Sequence, residues 1–258
     1  MNQILVTEKL YVTPELKRKK KIYKINFIIS IIVIVILCSF YAHSEYARSK
    51  EQEISQDILT ELIEKQEEMT VAEQEIARQD EGVWKIMISS VQQQAQSVEQ
   101  QTQSTEKQTE QKKRVTYITA SNGKRYPSIG RIQIPKIDVD LAILDQSEDN
   151  IEEWLKISPC KFWGADPNEI GNFSIAGHNY RNSRFFSKVP TLTTGDKIKI
   201  TDSQGKTFTY VVYDKYEVQP ENIDCIYDRP GKENKRIVTL ITCTNDGKKR
   251  VIVHAEQI

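Results

Sequence analysis

Ile237-Val238-Thr239-Leu240-Ile241-Thr242-Cys243-Thr244-Asn245-Asp246-Gly247-Lys248-Lys249-Arg250-Val251-Ile252-Val253-His254 is the stretch that decides the fold. Asp-Gly between two β-rich runs is a strong signal for a hairpin closed by a two-residue type I′ turn, which needs positive φ at both central positions. With Asp246-Gly247 as that turn, Cys243 stands opposite Arg250, their Cβ atoms about 5 Å apart. Val238, Leu240, Val251 and Val253 then share the other, core-facing side, because successive strand residues alternate faces. A thiol beside a guanidinium favours thiolate and can hold a developing oxyanion. The same pattern fits a buried cysteine acting as a small hydrophobe beside an exposed strand arginine. The hairpin alone leaves both readings open.

Working outward, the chain from about residue 115 alternates short apolar runs with turn residues. Candidate strands are 131–137, 141–144, 172–176, 197–201, 207–215, 237–243 and 250–254, separated by Asn122-Gly123, Pro135, Gly195-Asp196, Ser203-Gln204-Gly205 and Asp246-Gly247. Regular spacing of this kind reads as a β-barrel or sandwich, with one short helix over 149–156. A cysteine nucleophile needs an acid/base partner, and the chain has 3 histidines. His43 sits beside an apolar run far from the domain. His254 shares a face with Cys243 but lies opposite Thr239, four residues back, or about 13 Å at strand rise. His178 ends the run Asn172-Phe173-Ser174-Ile175-Ala176-Gly177 at the opening of a polar loop, placed to line a cleft. Elimination leaves His178.

The rest of the chain is organised by charge. The formal net charge is zero, but residues 1–24 carry seven Lys/Arg against two Asp/Glu, 44–111 six against fifteen, and 112–258 twenty-three against nineteen. No region shows the basic stripe with interleaved aromatics of a nucleic-acid binder. Residues 25–42 (INFIISIIVIVILCSFYA) are uncharged and meet the minimum of about 18 residues for a spanning helix. Lys17-Arg18-Lys19-Lys20-Lys21 and Lys24 precede them, which sets residues 1–24 in the cytoplasm and everything after residue 42 outside. The run exceeds a signal-peptide core, and Cys38-Ser39-Phe40-Tyr41 is a poor cleavage context, so the reading is an uncleaved single-pass anchor. Beyond it, Ile54, Ile58, Leu62, Met69 and Ile76 recur at helical spacing. Residues 92–111, rich in Gln, cannot bury enough apolar surface to fold alone and read as a flexible tether. The expected organisation is a basic segment (1–24), a transmembrane helix (25–42), a helical then Gln-rich spacer (43–114) and a folded domain (115–258).

Thr239-Leu240-Ile241-Thr242-Cys243 resembles the TLxTC signature of the sortases, cysteine transpeptidases of Gram-positive surfaces. Ala176-Gly177-His178 resembles the family's histidine motif, Arg250-Val251-Ile252-Val253 its arginine strand, and Gly130-Arg131-Ile132-Gln133-Ile134-Pro135-Lys136-Ile137 its opening strand. The resemblance covers roughly residues 126–258, in order. It implies an all-β fold, a closed eight-stranded β-barrel with one or two short helices, and catalytic roles for Cys243 (nucleophile), His178 (general acid/base) and Arg250 (oxyanion and substrate support). It implies surface-protein substrates bearing an LPxTG-like C-terminal sorting signal, and an amine acceptor such as a peptidoglycan precursor or a pilin lysine. No cofactor is implied. Some family members bind calcium, but the acidic residues Asp138, Asp140, Glu148 and Asp149 match no specific calcium loop. The short connection before Ile237 and the single anchor suit a class D-like or class A-like branch. Cys160 and Cys225 remain, free to pair in an external compartment or to stay reduced.

Two rivals stand beside this reading. A cell-wall cysteine peptidase or L,D-transpeptidase usually sets its cysteine amid Gly or Ser with an arginine two residues on, unlike Thr242-Cys243-Thr244. A non-catalytic tethered β-barrel would leave Cys243 inert and His178 dispensable.

Overall fold

The computed structural model describes residues 14–87, 115–145 and 151–258. The chain divides into two units, 1–50 and 51–258. One long helix, α1 (Pro14–Met87), contributes to both. In the first unit the side chains of 25–42 are all exposed. Among the described residues this is the one helix long and apolar enough to cross a membrane.

Among the described residues the second unit has nine strands: β1 (Thr116–Thr119), β2 (Arg125–Ile134), β3 (Val139–Leu144), β4 (Cys160–Gly164), β5 (Gly171–Ala176), β6 (Lys197–Asp202), β7 (Thr207–Val218), β8 (Arg236–Cys243) and β9 (Arg250–Gln257). They run in the order β1-β2-β3-β4-β5-β8-β9-β7-β6, and β6 pairs back onto β2. That last pairing closes an eight-stranded barrel from β2 onward, with β1 appended to β2 as a hairpin strand. The closed barrel implied by the resemblance is therefore present. Closure leaves no edge within the ring, which removes the unpaired row of N–H and C=O groups an open sheet presents. The barrel is filled by alternate residues such as Ile132, Phe173, Ile175, Ile200, Leu240 and Val253, each almost wholly buried.

The C-terminal hairpin has the expected register, with Cys243 opposite Arg250 and Thr239 opposite His254. Val238, Leu240, Val251 and Val253 all join the core. The turn itself differs from the expected one. The Gly247 N–H donates to the Thr244 carbonyl at 2.9 Å, so the tight turn is centred on Asn245-Asp246. Gly247 (φ 76°) follows it as the one residue in the loop with positive φ. A four-residue loop shares its midpoint with a two-residue one, so the facing pairs are unchanged.

The opening strand also ends earlier than its sequence suggests. β2 stops at Ile134, and Pro135–Ile137 form a 3-10 turn, because proline has no N–H to continue the ladder. β1 and β4 are the two strands not read from the sequence. β4 is interrupted by a bulge between Lys161 and Trp163, and it meets β3 at a single parallel pair, Leu144 with Cys160. The short helix read over 149–156 is present as α2 (Ile151–Leu155).

The helix between residues 51 and 71 does more than the spacer reading expects. Ile58 and Leu62 are fully buried against Ile118, Ala142 and Leu144 on the outside of the barrel. Lys65 Nζ donates to the Tyr117 carbonyl at 3.0 Å and Gln66 Nε2 to the Asp202 carbonyl at 2.9 Å. The stripe Ile54, Ile58, Leu62 thus finds its partner in the barrel, while Met69 is exposed. Residues 51–258 cluster as one compact unit by their contacts. Ile76 and the Gln-rich 92–111 stretch fall where no side chain is described.

Candidate active site

Two parallel neighbours set the site. β5 pairs with β8 in parallel, Ala176 level with Ile241. Parallel strands point their C-terminal ends to the same rim, so two residues further along each, His178 and Cys243 emerge level with each other. Adjacent strands lie about 4.8 Å apart. β9 then runs antiparallel on the far side of β8 and brings Arg250 opposite Cys243. Three neighbouring strands therefore place His178, Cys243 and Arg250 in one row. All three expected residues come together, and each is half-buried.

Arg250 Nη1 donates to Cys243 Sγ at 3.3 Å, a hydrogen bond that a thiolate accepts better than a thiol. His178 and Cys243 line one cavity of about 530 Å³ together with Arg250. The remaining wall is mostly apolar, including Ile151, Leu155, Phe162, Ile223, Ile226 and Ile252. Burial lowers the pKa of His178; of the charges around it, Glu152 opposes that shift and Lys156 adds to it.

The histidine loop is tied to the cysteine strand on both sides of His178. The Gly177 N–H donates to the Ile241 carbonyl at 3.0 Å, and Thr242 Oγ1 donates to the Gly177 carbonyl at 2.8 Å. Asn179 Nδ2 donates to the Cys243 carbonyl at 2.9 Å. Gly177 has no room for a side chain, since a Cβ there would stand 2.5 Å from the Phe186 ring. The Gly before the histidine is thus a packing requirement.

Below the site lies a buried polar chain that the sequence reading did not find. Thr239 Oγ1 donates to Asn172 Oδ1 at 2.6 Å, so it must accept its second bond, 2.7 Å, from His254 Nδ1–H. That leaves His254 Nε2 to accept from the Tyr216 hydroxyl at 3.0 Å. Tyr216 in turn accepts from Arg229 Nη1 at 3.3 Å. Asn172 Nδ2 donates to the carbonyls of Cys225 and Tyr227, fastening the segment that carries Cys225 and Ile226 into the cavity wall. His254 is fully buried, and burial with the nearby Arg229 charge lowers its pKa to about 4. It is a neutral structural histidine, consistent with its distance from Cys243. The Thr of the TLxTC run is the only signal for this chain, and one residue does not reveal its four partners.

The remaining cysteines stay apart. Cys160 and Cys225 are free and buried, in separate clusters, and burial raises both thiol pKa values. Asp140 is engaged by Arg131 and Gln133, and Asp138 caps the 3-10 turn with φ 54°. Glu148 and Asp149 lie outside the described residues. Among those described, no group of three His, Cys, Asp or Glu is arranged to hold a metal.

Residues 132–258 match the family model described as the sortase domain. The chain carries a sortase domain. It is 31% identical over 140 residues to a sortase A of Streptococcus agalactiae, covering 50% of this chain and 53% of that protein. It is 30% identical over 135 residues to a sortase A of Bacillus anthracis, covering 50% of this chain and 60% of that one. The chain thus spans little more than half the length of these curated relatives. Among solved structures, a Clostridium perfringens sortase D5 transpeptidase is 31% identical, with a TM-score of 0.47 over 60% of this chain and 88% of that one. The sortase domain holds the row His178, Cys243, Arg250 at one rim of its barrel.

Proposed function

We propose that this protein is a membrane-anchored cysteine transpeptidase in which Cys243 is the nucleophile, His178 the general acid/base and Arg250 the oxyanion support. The observation that carries it is the convergence of those three side chains from β5, β8 and β9 on one apolar-walled cavity, with Arg250 bonded to the Cys243 sulfur. The thiolate attacks the scissile carbonyl of a sorting signal, and negative charge develops on its oxygen near Arg250. As the C–N bond breaks, His178 as imidazolium gives its proton to the leaving amine, leaving a thioester on Cys243. An acceptor amine then yields a proton to neutral His178 and displaces the thiolate, forming the new amide. Substrates are surface proteins with an LPxTG-like C-terminal signal; acceptors are a peptidoglycan precursor or a pilin lysine.

The apolar run 25–42 with the Lys/Arg cluster before it supports a single-pass anchor with residues 1–24 cytoplasmic and the barrel outside. The 30–31% identity to sortases A and the 219–235 connection, which holds only the 3-10 turn Asp224–Ile226, support the class A-like or class D-like placement.

The test uses the full chain in lipid nanodiscs, a library of sorting-signal peptides and hydroxylamine as the acceptor. A hydroxamate of the peptide's N-terminal portion is the expected product. Cleavage giving only free acid at equal rate with and without hydroxylamine would mark a peptidase instead.

A further inference from the structure

Among the described residues, the cavity around Cys243 is lined by two cations, Lys156 and Arg250, and by a single carboxylate, Glu152. The carboxylate and Lys156 both come from α2 and the residue after it, four positions apart, which sets them on one face of that turn. α2 is held from behind. Trp154 meets the Tyr126 ring edge-on at 5.2 Å, Ile151 and Leu155 pack on the cluster that contains Ile58 and Leu62, and Ser158 Oγ donates to the Ala142 carbonyl at 2.6 Å. The two charges are therefore presented to the cavity by a fixed element. No other carboxylate among the described residues lines that cavity. The Tyr180 ring stands 5.2 Å from the His178 ring, and Cys243, Arg250 and residues of the 220–226 segment line the same cavity. That segment's one titratable lining residue is Cys225, whose thiol is kept neutral by burial.

We propose that Glu152 and Lys156 are opposed positioning charges that tune His178 across the cavity they line with it. Glu152 stabilises the imidazolium that must protonate the leaving amine, and Lys156 limits that stabilisation so that the ring can also act as a base toward the acceptor. The direction of each effect on His178 agrees, Glu152 raising its pKa and Lys156 lowering it. The proposal deepens the transpeptidase reading and rests on it only for the kinetic consequence.

The chain has 3 histidines, so the full-length protein labelled with [13Cε1]histidine gives three titrating or silent signals. His178→Gln assigns the relevant one. Glu152→Gln should lower the His178 midpoint and Lys156→Gln should raise it, by about half a pH unit each, the scale of a partly screened charge. The double variant should return close to the parent value, with the His254 signal unmoved throughout. In turnover assays the alkaline limb of kcat should move with the His178 midpoint while KM changes little. Both single variants shifting His178 the same way, or neither shifting it, would overturn the proposal. Opposite shifts in a protein that transfers no peptide would sink the transpeptidase reading and leave this one standing.

Discussion

In the proposed mechanism Cys243 owes its chemistry to its neighbours in the row. There, loss of Arg250 takes away the hydrogen-bond donor to the sulfur and the support of the oxyanion, and loss of His178 takes away the proton source for the leaving amine. Cys243→Ala should abolish turnover, and His178→Ala or Arg250→Ala should each lower kcat/KM on the order of 10³-fold or more, as loss of a coupled catalytic group does. Arg250→Lys should recover only part of that, because an ammonium keeps the charge but not the planar fork. Steady-state kinetics with one peptide and one acceptor check all four. Thr239 works differently, through structure. Thr239→Val keeps shape but leaves Asn172 Oδ1 and the His254 Nδ1–H without a partner in a fully buried site. Stability should fall by roughly 1–3 kcal/mol, read as a lower denaturation midpoint.

At the scale of elements, α1 beyond residue 50 is part of what holds the barrel's outer wall. Leu62 is fully buried against β1 and β3, so Leu62→Ala should cost about 3 kcal/mol. A fragment 51–258 should melt well above a fragment 115–258; equal melting temperatures would mean the helix contributes nothing. That contact also shows where the sequence stops being informative. The hairpin was legible because its register depends only on a local turn and an alternating pattern, and it survived even a misplaced turn centre. The site row was legible because Cys243 ends one strand and His178 follows another by two residues, both strands with plain apolar runs. The helix stripe Ile54, Ile58, Leu62 reads equally as a coiled-coil seam or as a face for another surface, since periodicity reveals a buried face and not what buries it. β4 escaped notice because a bulge breaks its alternation, and the Asn172–Thr239–His254–Tyr216 chain did because its members are scattered across β5, β8, β9 and β7.

For the whole molecule, the buried His254 makes stability depend on pH. Its folded pKa of about 4 lies below the ordinary histidine value near 6.5. Above pH 6.5 the ring is neutral whether folded or not, and the full stability is present. As pH falls from 6.5 toward 4 the unfolded chain takes up a proton that the folded one refuses. Stability is lost across that window, in total roughly 3 kcal/mol. Thermal melts at pH 7, 6 and 5 should show the decline, and His254→Gln should make it shallower between pH 6.5 and 5, leaving the part due to His178, whose pKa burial also lowers. The central claim, a thioacyl enzyme on Cys243, is tested most directly by acid-quenching the full chain early in its reaction with a cleaved peptide and no added acceptor, then mapping the adduct by tandem mass spectrometry. The account predicts the peptide's N-terminal portion in thioester linkage to Cys243, absent from Cys243→Ala. Continued cleavage by Cys243→Ala, or an adduct confined to Cys160 or Cys225, would contradict it.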